Sequence, residues 1–180
     1  QGDIVATGKG GAVGIVFADN STFSLGADAR MVMDRLVFDP AAKTGAMSVS
    51  VLKGVFAFVS GEIAGTGPDA MIVKTPVVTI GIRGTKVAGM AASEGGLNTI
   101  TKLPDDHPDP NHPTSVVVVF TAGGQVELKS PFETTSADSV FGQPFTPQVL
   151  PPAANSGRLV LPTTIAPERS QSDGSIVERG

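Results

Sequence analysis

Residues 46–59, AMSVSVLKGVFAFV, decide the fold. In the first half of this stretch, apolar residues alternate with serines. After the Lys-Gly pair at 53–54 the alternation resumes, and it places Phe56 and Phe58 on one face. Because side chains two residues apart point to the same side of a β-strand, the pattern predicts two strands that each bury one face.

The flanking segments have the same period and are separated by turn residues. The Asp-Asn pair at 19–20 divides two apolar runs and predicts a hairpin or a solenoid corner. Residues 29–39 fit a helix or a strand by their apolar positions, and we assign a strand because their neighbours are all strands. Residues 115–121 are strongly β-branched, and the Gly pair at 123–124 turns them into another strand. The sequence therefore predicts an all-β chain.

The composition supports short strands and excludes several classes of partner. The 22 glycines and 14 prolines favour turns over long helices. A net charge of −4 with few, scattered Lys and Arg argues against nucleic acid and against an anionic membrane surface. No apolar run reaches the length of a transmembrane helix, so we expect no direct membrane insertion. The absence of cysteine excludes disulfides, thiolate nucleophiles and Cys-type zinc sites, and we expect no cofactor.

Longer stretches carry a family pattern. The most distinctive is TPVVTIGIRGT at 75–85, within PDAMIVKTPVVTIGIRGTKV. The other matching pieces are GDIVATG (2–8), IVFADNSTFSLGADARMVMDRLVFDP (15–40), SVLKGVFAFVSGEIA (50–64), EGGLNTIT (94–101) and the AGGQVEL pattern that runs to 135. Over about residues 1–135 the chain resembles the FecR-type β-helical domain of bacterial exported proteins.

The resemblance implies a right-handed stack of short β-coils in the periplasm or outside the cell. Stacking is also what short strands with one apolar face need in order to bury it. We therefore expect an all-β fold, a β-helix or solenoid-like stack of short strands with hairpins, followed by a Pro-rich extended tail. The resemblance places a FecR-like domain at 1–135, lacking its first coil because the family's domain begins upstream of Gln1. Residues 136–180 are expected to be a Pro/Ser-rich linker or tail.

One loop contains the residue types of a metal site. In PDDHPDPNHP (104–113), imidazole and carboxylate groups lie close together in sequence, and both bind divalent ions. Prolines stiffen the loop and the spacing matches no strong ligand motif, so we favour a solvated turn and predict no metal. The candidates are His107, His112, Asp105, Asp106 and Asp109.

Two other places have candidate binding groups. Arg83 could hold a carboxylate or a protein partner with its planar guanidinium. The alternative, which we favour, is that Arg83 braces a glycine-flanked bend by donating to backbone carbonyls. Asp19, Asn20 and Ser21 could offer oxygens to calcium, but turn chemistry explains them better.

The enzymatic motifs are weak. The Gly-rich run at 8–11 is not followed by the Lys-Ser/Thr of a phosphate loop. Ser60 lacks a nucleophile elbow, and both histidines lie in one proline-rich loop. Glu62 and Asp69 could form a glycosidase pair, but the chain has no Tyr or Trp to stack on a sugar. We expect no enzyme and no catalytic residues.

Three functions remain. The first is a non-enzymatic structural or protein-interaction module of an exported, surface-associated bacterial protein. The alternative is a periplasmic, signal-transducing sensor domain of a sigma-factor regulatory system. A third is a self-assembling extracellular fibre subunit. All three are extracytoplasmic and imply protein partners or self-association, with a homo-oligomer forming through β edges or solenoid ends.

Overall fold

The structure is a computed structural model that describes residues 2–105 and 115–150. These residues form thirteen strands and one short 3-10 turn, Glu62–Gly65. In chain order the strands are β1 (Asp3–Ala6), β2 (Val13–Val16), β3 (Thr22–Leu25), β4 (Arg30–Asp39), β5 (Thr44–Val59), β6 (Met71–Lys74), β7 (Thr79–Arg83), β8 (Lys86–Ala91), β9 (Asn98–Lys102), β10 (Val116–Thr121), β11 (Gly124–Leu128), β12 (Glu133–Ala137) and β13 (Gln148–Val149).

One long strand, β5, belongs to both halves of a curled, open sheet. Its first half pairs with β4 and β6, and its second half pairs with β3 and β8. The half that we call sheet A has the order β1-β4-β5-β6-β7-β10-β11. The half that we call sheet B has the order β2-β3-β5-β8-β9-β12-β13. The two sheets therefore share a strand and cannot separate without breaking it.

The buried face of β5 changes parity where the strand passes from sheet A to sheet B. Met47, Val49 and Val51 are buried in the first half, and Phe56 and Phe58 are buried in the second. Within each half the buried positions are two apart in sequence, but Val51 and Phe56 are five positions apart. An odd spacing turns the second half over, so that both halves face the same core.

A β-bulge produces this change of parity. Met31 on β4 pairs with Val51, but the preceding Arg30 pairs with Lys53, so Leu52 has no partner on β4. An extra residue of this kind bends a strand and increases its local twist. The bend lies where β5 leaves one sheet and enters the other.

Gly54 follows the bulge and has a backbone conformation that favours glycine. Its φ is +101°, and a Cβ at this position would lie 2.4 Å from the Cβ of Ala29. A side chain would therefore be both strained in its backbone and in collision with a buried neighbour. The Lys-Gly pair that interrupts the alternation in the sequence is the corner between the two sheets.

A single apolar core fills the space between the sheets. At its sheet B side, the Phe23 ring lies 6.0 Å from the Phe56 ring and 5.7 Å from the Phe58 ring, measured between centroids. Sheet A contributes aliphatic side chains and methionines to the same cluster. The members from sheet A include Met31, Met47, Val49, Val51, Met71, Val73, Ile80, Ile82, Val117, Val119 and Leu128.

The structure confirms the all-β class, the hairpins, the strand at 29–39 and the shared inward face of Phe56 and Phe58. It does not confirm the solenoid-like stack. Coils stacked in a solenoid pair in parallel, whereas only β5 and β6 do so here and the other strand pairs of the described residues are antiparallel. The physical reason is that short turns connect the pairs β2–β3, β4–β5, β6–β7, β8–β9 and β10–β11, and two strands that pair across a short turn must be antiparallel.

The ordered strands continue past the boundary expected at residue 135, which falls inside β12. Phe145 N donates to Ser136 O at 2.8 Å, and Leu150 N donates to Phe132 O at 3.1 Å. Residues 145–150 thus run back along β12. The rest of the predicted Pro-rich tail, residues 151–180, lies outside the described residues.

We expect Gly54→Ala to lower the free energy of unfolding by about 2–5 kcal/mol, the sum of backbone strain and overpacking. Urea denaturation followed by circular dichroism measures the change. Gly67→Ala is the matched control, because a Cβ there meets nothing within 4 Å and its φ is not positive. Equal stability of the two variants would show that the corner does not depend on glycine.

Candidate functional site

The outer face of sheet A has a groove of roughly 580 Å³ over β7, β10 and β11. Gly81 lies in its floor, and its neighbours in the sheet are Ile72 on β6 and Val118 on β10. Because glycine has no side chain, this cross-strand row has a gap between two apolar side chains. Phe120 lines the groove one pleat further along β10. The floor is therefore apolar and concave.

Arg83 lies on the wall of this groove, two residues after Gly81 and on the same face of β7. Its Nε donates to the carbonyl oxygen of Pro68 at 3.3 Å. This contact matches the interpretation that Arg83 braces a bend through a backbone carbonyl. It also holds the guanidinium at the groove, where Arg83 can reach a bound partner, and that role stays a prediction.

Two carboxylates share the groove with Arg83. Asp69 is beside Pro68, and Glu127 lies on β11 opposite Val118. The Glu127 carboxylate is 2.8 Å from Lys129 Nζ, and the hydrogen bond and charge of Lys129 hold the pKa of Glu127 below its usual value of 4.5. Arg83 adds a smaller attraction of the same sign. The walls thus carry both charges over an apolar floor, which suits a polypeptide segment.

The 121–124 turn closes one end of the groove. Ala122 N donates to Val140 O at 2.8 Å, and Thr121 Oγ1 donates to Gly142 O at 2.5 Å. These bonds fasten the turn to the chain segment that follows β12. Phe141, in the middle of that segment, is 81% exposed.

The residues considered for catalysis have other contacts. Glu62 Oε1 accepts a hydrogen bond from Asn20 Nδ2 at 2.9 Å, whereas Asp69 lines the groove. The backbone N–H of Ser60 donates to Thr85 O at 3.1 Å. The structure describes no hydrogen bond that joins any of these side chains into a nucleophile–base pair. The expectation of a non-enzymatic protein stays a prediction.

The Asp19 carboxylate, considered for calcium, is buried in the β2–β3 turn. Its Oδ1 accepts from the Ser21 hydroxyl at 2.6 Å and from the Ser21 N–H at 3.2 Å. Its Oδ2 accepts from the N–H of Ile63 at 3.3 Å. The turn uses these oxygens to dock on the 3-10 turn, as the turn interpretation of Asp19, Asn20 and Ser21 expects.

A second polar cluster, which the sequence analysis does not predict, surrounds a buried lysine. Lys102, at the end of β9, is 1% exposed, and its Nζ lies 3.2 Å from Asp105 Oδ2. Asp105 also accepts from the Ser115 hydroxyl at 2.6 Å and from the Thr85 hydroxyl at 2.7 Å. Asp105 and Ser115 lie at the two ends of the loop between β9 and β10. Their bonds hold these ends against Lys102 of β9 and against Thr85 in the turn before β8.

The charge of Asp105 is stabilised by these partners. Burial alone would raise the pKa of its carboxyl, but hydrogen bonds from Ser115, Thr85 and Lys102, together with the charge of Lys102, hold the pKa below its usual value of 3.8. A buried lysine without a counter-ion is costly. The pattern that could have revealed the pair is a lysine in a Thr-rich strand, three residues before an aspartate.

Only one of the five candidate metal ligands lies in the described residues. Asp105 is the counter-ion of Lys102 there, and His107, His112, Asp106 and Asp109 lie outside the described residues. Within 2–105 and 115–150, no group of three His, Cys, Asp or Glu side chains could hold a metal ion. The same residues include no helix that is long and apolar enough to span a membrane.

A comparison with protein-family models identifies the family of this chain. The family model described as FecR protein matches residues 3–102, which is more than half of the chain. This protein belongs to the FecR family. The matched region includes both halves of β5, Arg83 of the groove and the buried Lys102 of the FecR domain.

Solved structures share the fold. Two crystal structures of a candidate anti-sigma factor from Parabacteroides distasonis ATCC 8503 match this FecR protein with a TM-score of 0.56 each, at 15% and 16% identity. Each match covers 79% of this chain and 58% of the other chain, so this protein corresponds to little more than half of that structure. At such identity the likeness is one of fold. No functionally curated protein is significantly similar in sequence.

We expect Asp105→Asn to lower the free energy of unfolding at pH 7 by about 3–5 kcal/mol, because it leaves Lys102 buried without a counter-ion. The folded-state pKa of Asp105 is depressed, so its stabilisation is complete above the ordinary value of 3.8 and is lost as the pH falls through the folded pKa. The difference in the free energy of unfolding between the native protein and the variant should therefore become smaller in acid. Urea denaturation at a series of pH values measures it.

Glu127→Gln is the control, because it removes the carboxylate of an exposed ion pair and should change stability little at any pH. This account of the buried pair would be contradicted if the free energies of unfolding of the native protein and Asp105→Asn differed by the same amount down to strongly acidic pH.

Proposed function

We propose that this FecR protein is a non-enzymatic, extracytoplasmic sensor domain of a sigma-factor regulatory system, which transmits a signal by binding another protein. Membership of the FecR family is the observation that carries this proposal. The fold that it shares with a candidate anti-sigma factor supports the same function. The expected partner is the signalling domain of an outer-membrane receptor, and neither a metal nor a cofactor is required.

The comparisons favour this function over the first of the three functions that the sequence suggests, a structural module of a surface protein. The two solved neighbours belong to sigma-factor regulation by their description. Neither the family model nor these structures points to an adhesin or a fibre subunit. Signal transduction is therefore the better-supported function of the two.

We assign the groove on sheet A as the surface that binds the receptor's signalling domain. Its apolar floor at Gly81, Val118 and Phe120 offers surface that a partner can bury, and burial of apolar area drives most protein association. Arg83 supplies a planar group of five donors at the wall, a residue type enriched at interface hot spots. The floor of the groove is part of the hydrogen-bonded sheet formed by β7, β10 and β11.

The direct test is binding of the purified chain to the periplasmic signalling domains of the outer-membrane receptors of its own organism, measured by isothermal titration calorimetry. We expect one of these domains to bind. Arg83→Ala should weaken that binding by about tenfold or more, as truncation at a hot spot does. Gly81→Val should do the same by filling the groove floor, where a Cβ would have its nearest neighbour at 4.0 Å and thus fits the sheet.

Arg35→Ala is the matched control, because Arg35 is an exposed arginine of the same sheet on β4, three strands away from β7. It should leave the affinity unchanged. If no receptor signalling domain binds, the proposed function is wrong. If one binds and the two groove variants bind equally well, the function stands and the assignment of the groove is wrong.

A further inference from the structure

The edges of the two sheets differ in how well they are protected against pairing with another chain. Within residues 2–105 and 115–150, sheet A ends at β1 and β11, and sheet B ends at β2 and β13. Protein sheets guard their edges with charged residues, prolines or very short strands. Strand β1 begins with Asp3, β11 carries Glu127 and is followed by Lys129, and β13 has two residues and follows Pro147. Three of the four edges thus have a protecting feature.

Strand β2 lacks all of these features. Its sequence, VGIV, has no charge and no proline, and it pairs in a regular register with β3. Val16 is 74% exposed, and Ile15 is half-buried at the margin of the core. An exposed, regular, apolar edge is a template for another strand.

The hydrogen-bonding groups of β2 that face outward can be identified from the adjoining turn. Phe17 N donates to Ser21 O at 2.9 Å, so the N–H of Phe17, directly after β2, points inward across the β2–β3 hairpin. Hydrogen-bonded and non-hydrogen-bonded pairs alternate along an antiparallel ladder. Ile15 therefore bonds inward to β3, and the N–H and C=O groups of Gly14 and Val16 point away from the sheet.

We infer that β2 is a self-association edge, at which two copies of this chain pair antiparallel about a two-fold axis. In that register Gly14 lies opposite Val16 of the second copy, so the outward N–H and C=O groups of both residues find partners. Ile15 then lies opposite Ile15 of the second copy and covers it at the margin of the core. Sheet B becomes continuous through both molecules.

A second copy suits this edge because the edge is complementary to itself. A two-fold axis through Ile15 matches every outward donor with an acceptor without any shift of register. Although each chain has a net charge of −4, β2 and the neighbouring β3 carry no charged residue, so like charges do not meet at the contact. The contact is short, and we expect a weak, reversible dimer rather than an obligate one. This inference does not depend on the proposed signalling function.

Light scattering of the purified chain over about 1 µM to about 1 mM tests the inference, since weak dimers form within this range. The mean mass should rise from 18.3 kDa toward twice that value. Val16→Lys should keep the protein monomeric, because it places two lysines at the contact. Val149→Lys is the matched control on the β13 edge, where Val149 is 61% exposed, and it should dimerise like the native chain.

A single cysteine tests the register. The chain has no cysteine, and opposed residues of a non-hydrogen-bonded pair have Cα atoms about 4.5 Å apart, within disulfide range. Under mild oxidation, Ile15→Cys should form a disulfide-linked dimer, and Val149→Cys should not. Any one of four results would overturn the inference. The native chain could stay monomeric throughout, the Val16→Lys variant could still dimerise, the Val149→Lys variant could fail to dimerise, or the two cysteine variants could cross-link equally.

Discussion

The passage of β5 from one sheet to the other is the constraint on which the rest of this structure depends. A single strand of 16 residues has to present its apolar face to the same core in two sheets that bend toward each other. The bulge at Leu52 reverses the parity, and Gly54 turns the backbone where Ala29 leaves no room for a side chain. The other strands of both sheets are arranged outward from this one.

The candidate binding groove lies on an outer surface that this core supports. The groove exists because β7 brings Gly81 between two apolar side chains on a face that the core does not use. The ion pair of Lys102 and Asp105, together with the hydrogen bond that Ser115 donates to Asp105, holds residues 105 and 115 at the end of β9. The groove on the outer face of sheet A is the surface that the proposed function uses.

Local alternation was sufficient to predict the strands, but it could not predict which strands pair. The period of two identifies Phe56 and Phe58 as one face, and this holds in the structure. The lysine at 53 and the glycine at 54 predict a break between two strands, because a bulge within one strand and a turn between two have the same local pattern. The antiparallel order, with β5 beside β8 and β6, depends on contacts distant in sequence, and the expected solenoid stack was therefore not confirmed. The burial of Lys102 was missed for the same reason, since its partners Thr85 and Ser115 are remote from it in the chain.

Native-state hydrogen exchange of β5 tests most directly whether the corner makes one cooperative core of both sheets. The account predicts that amides on both sides of Gly54 open with the same free energy and the same dependence on denaturant, equal to those of global unfolding. A lower opening energy for either half, with the other half still protected, would show two separately stable sheets and would contradict the account.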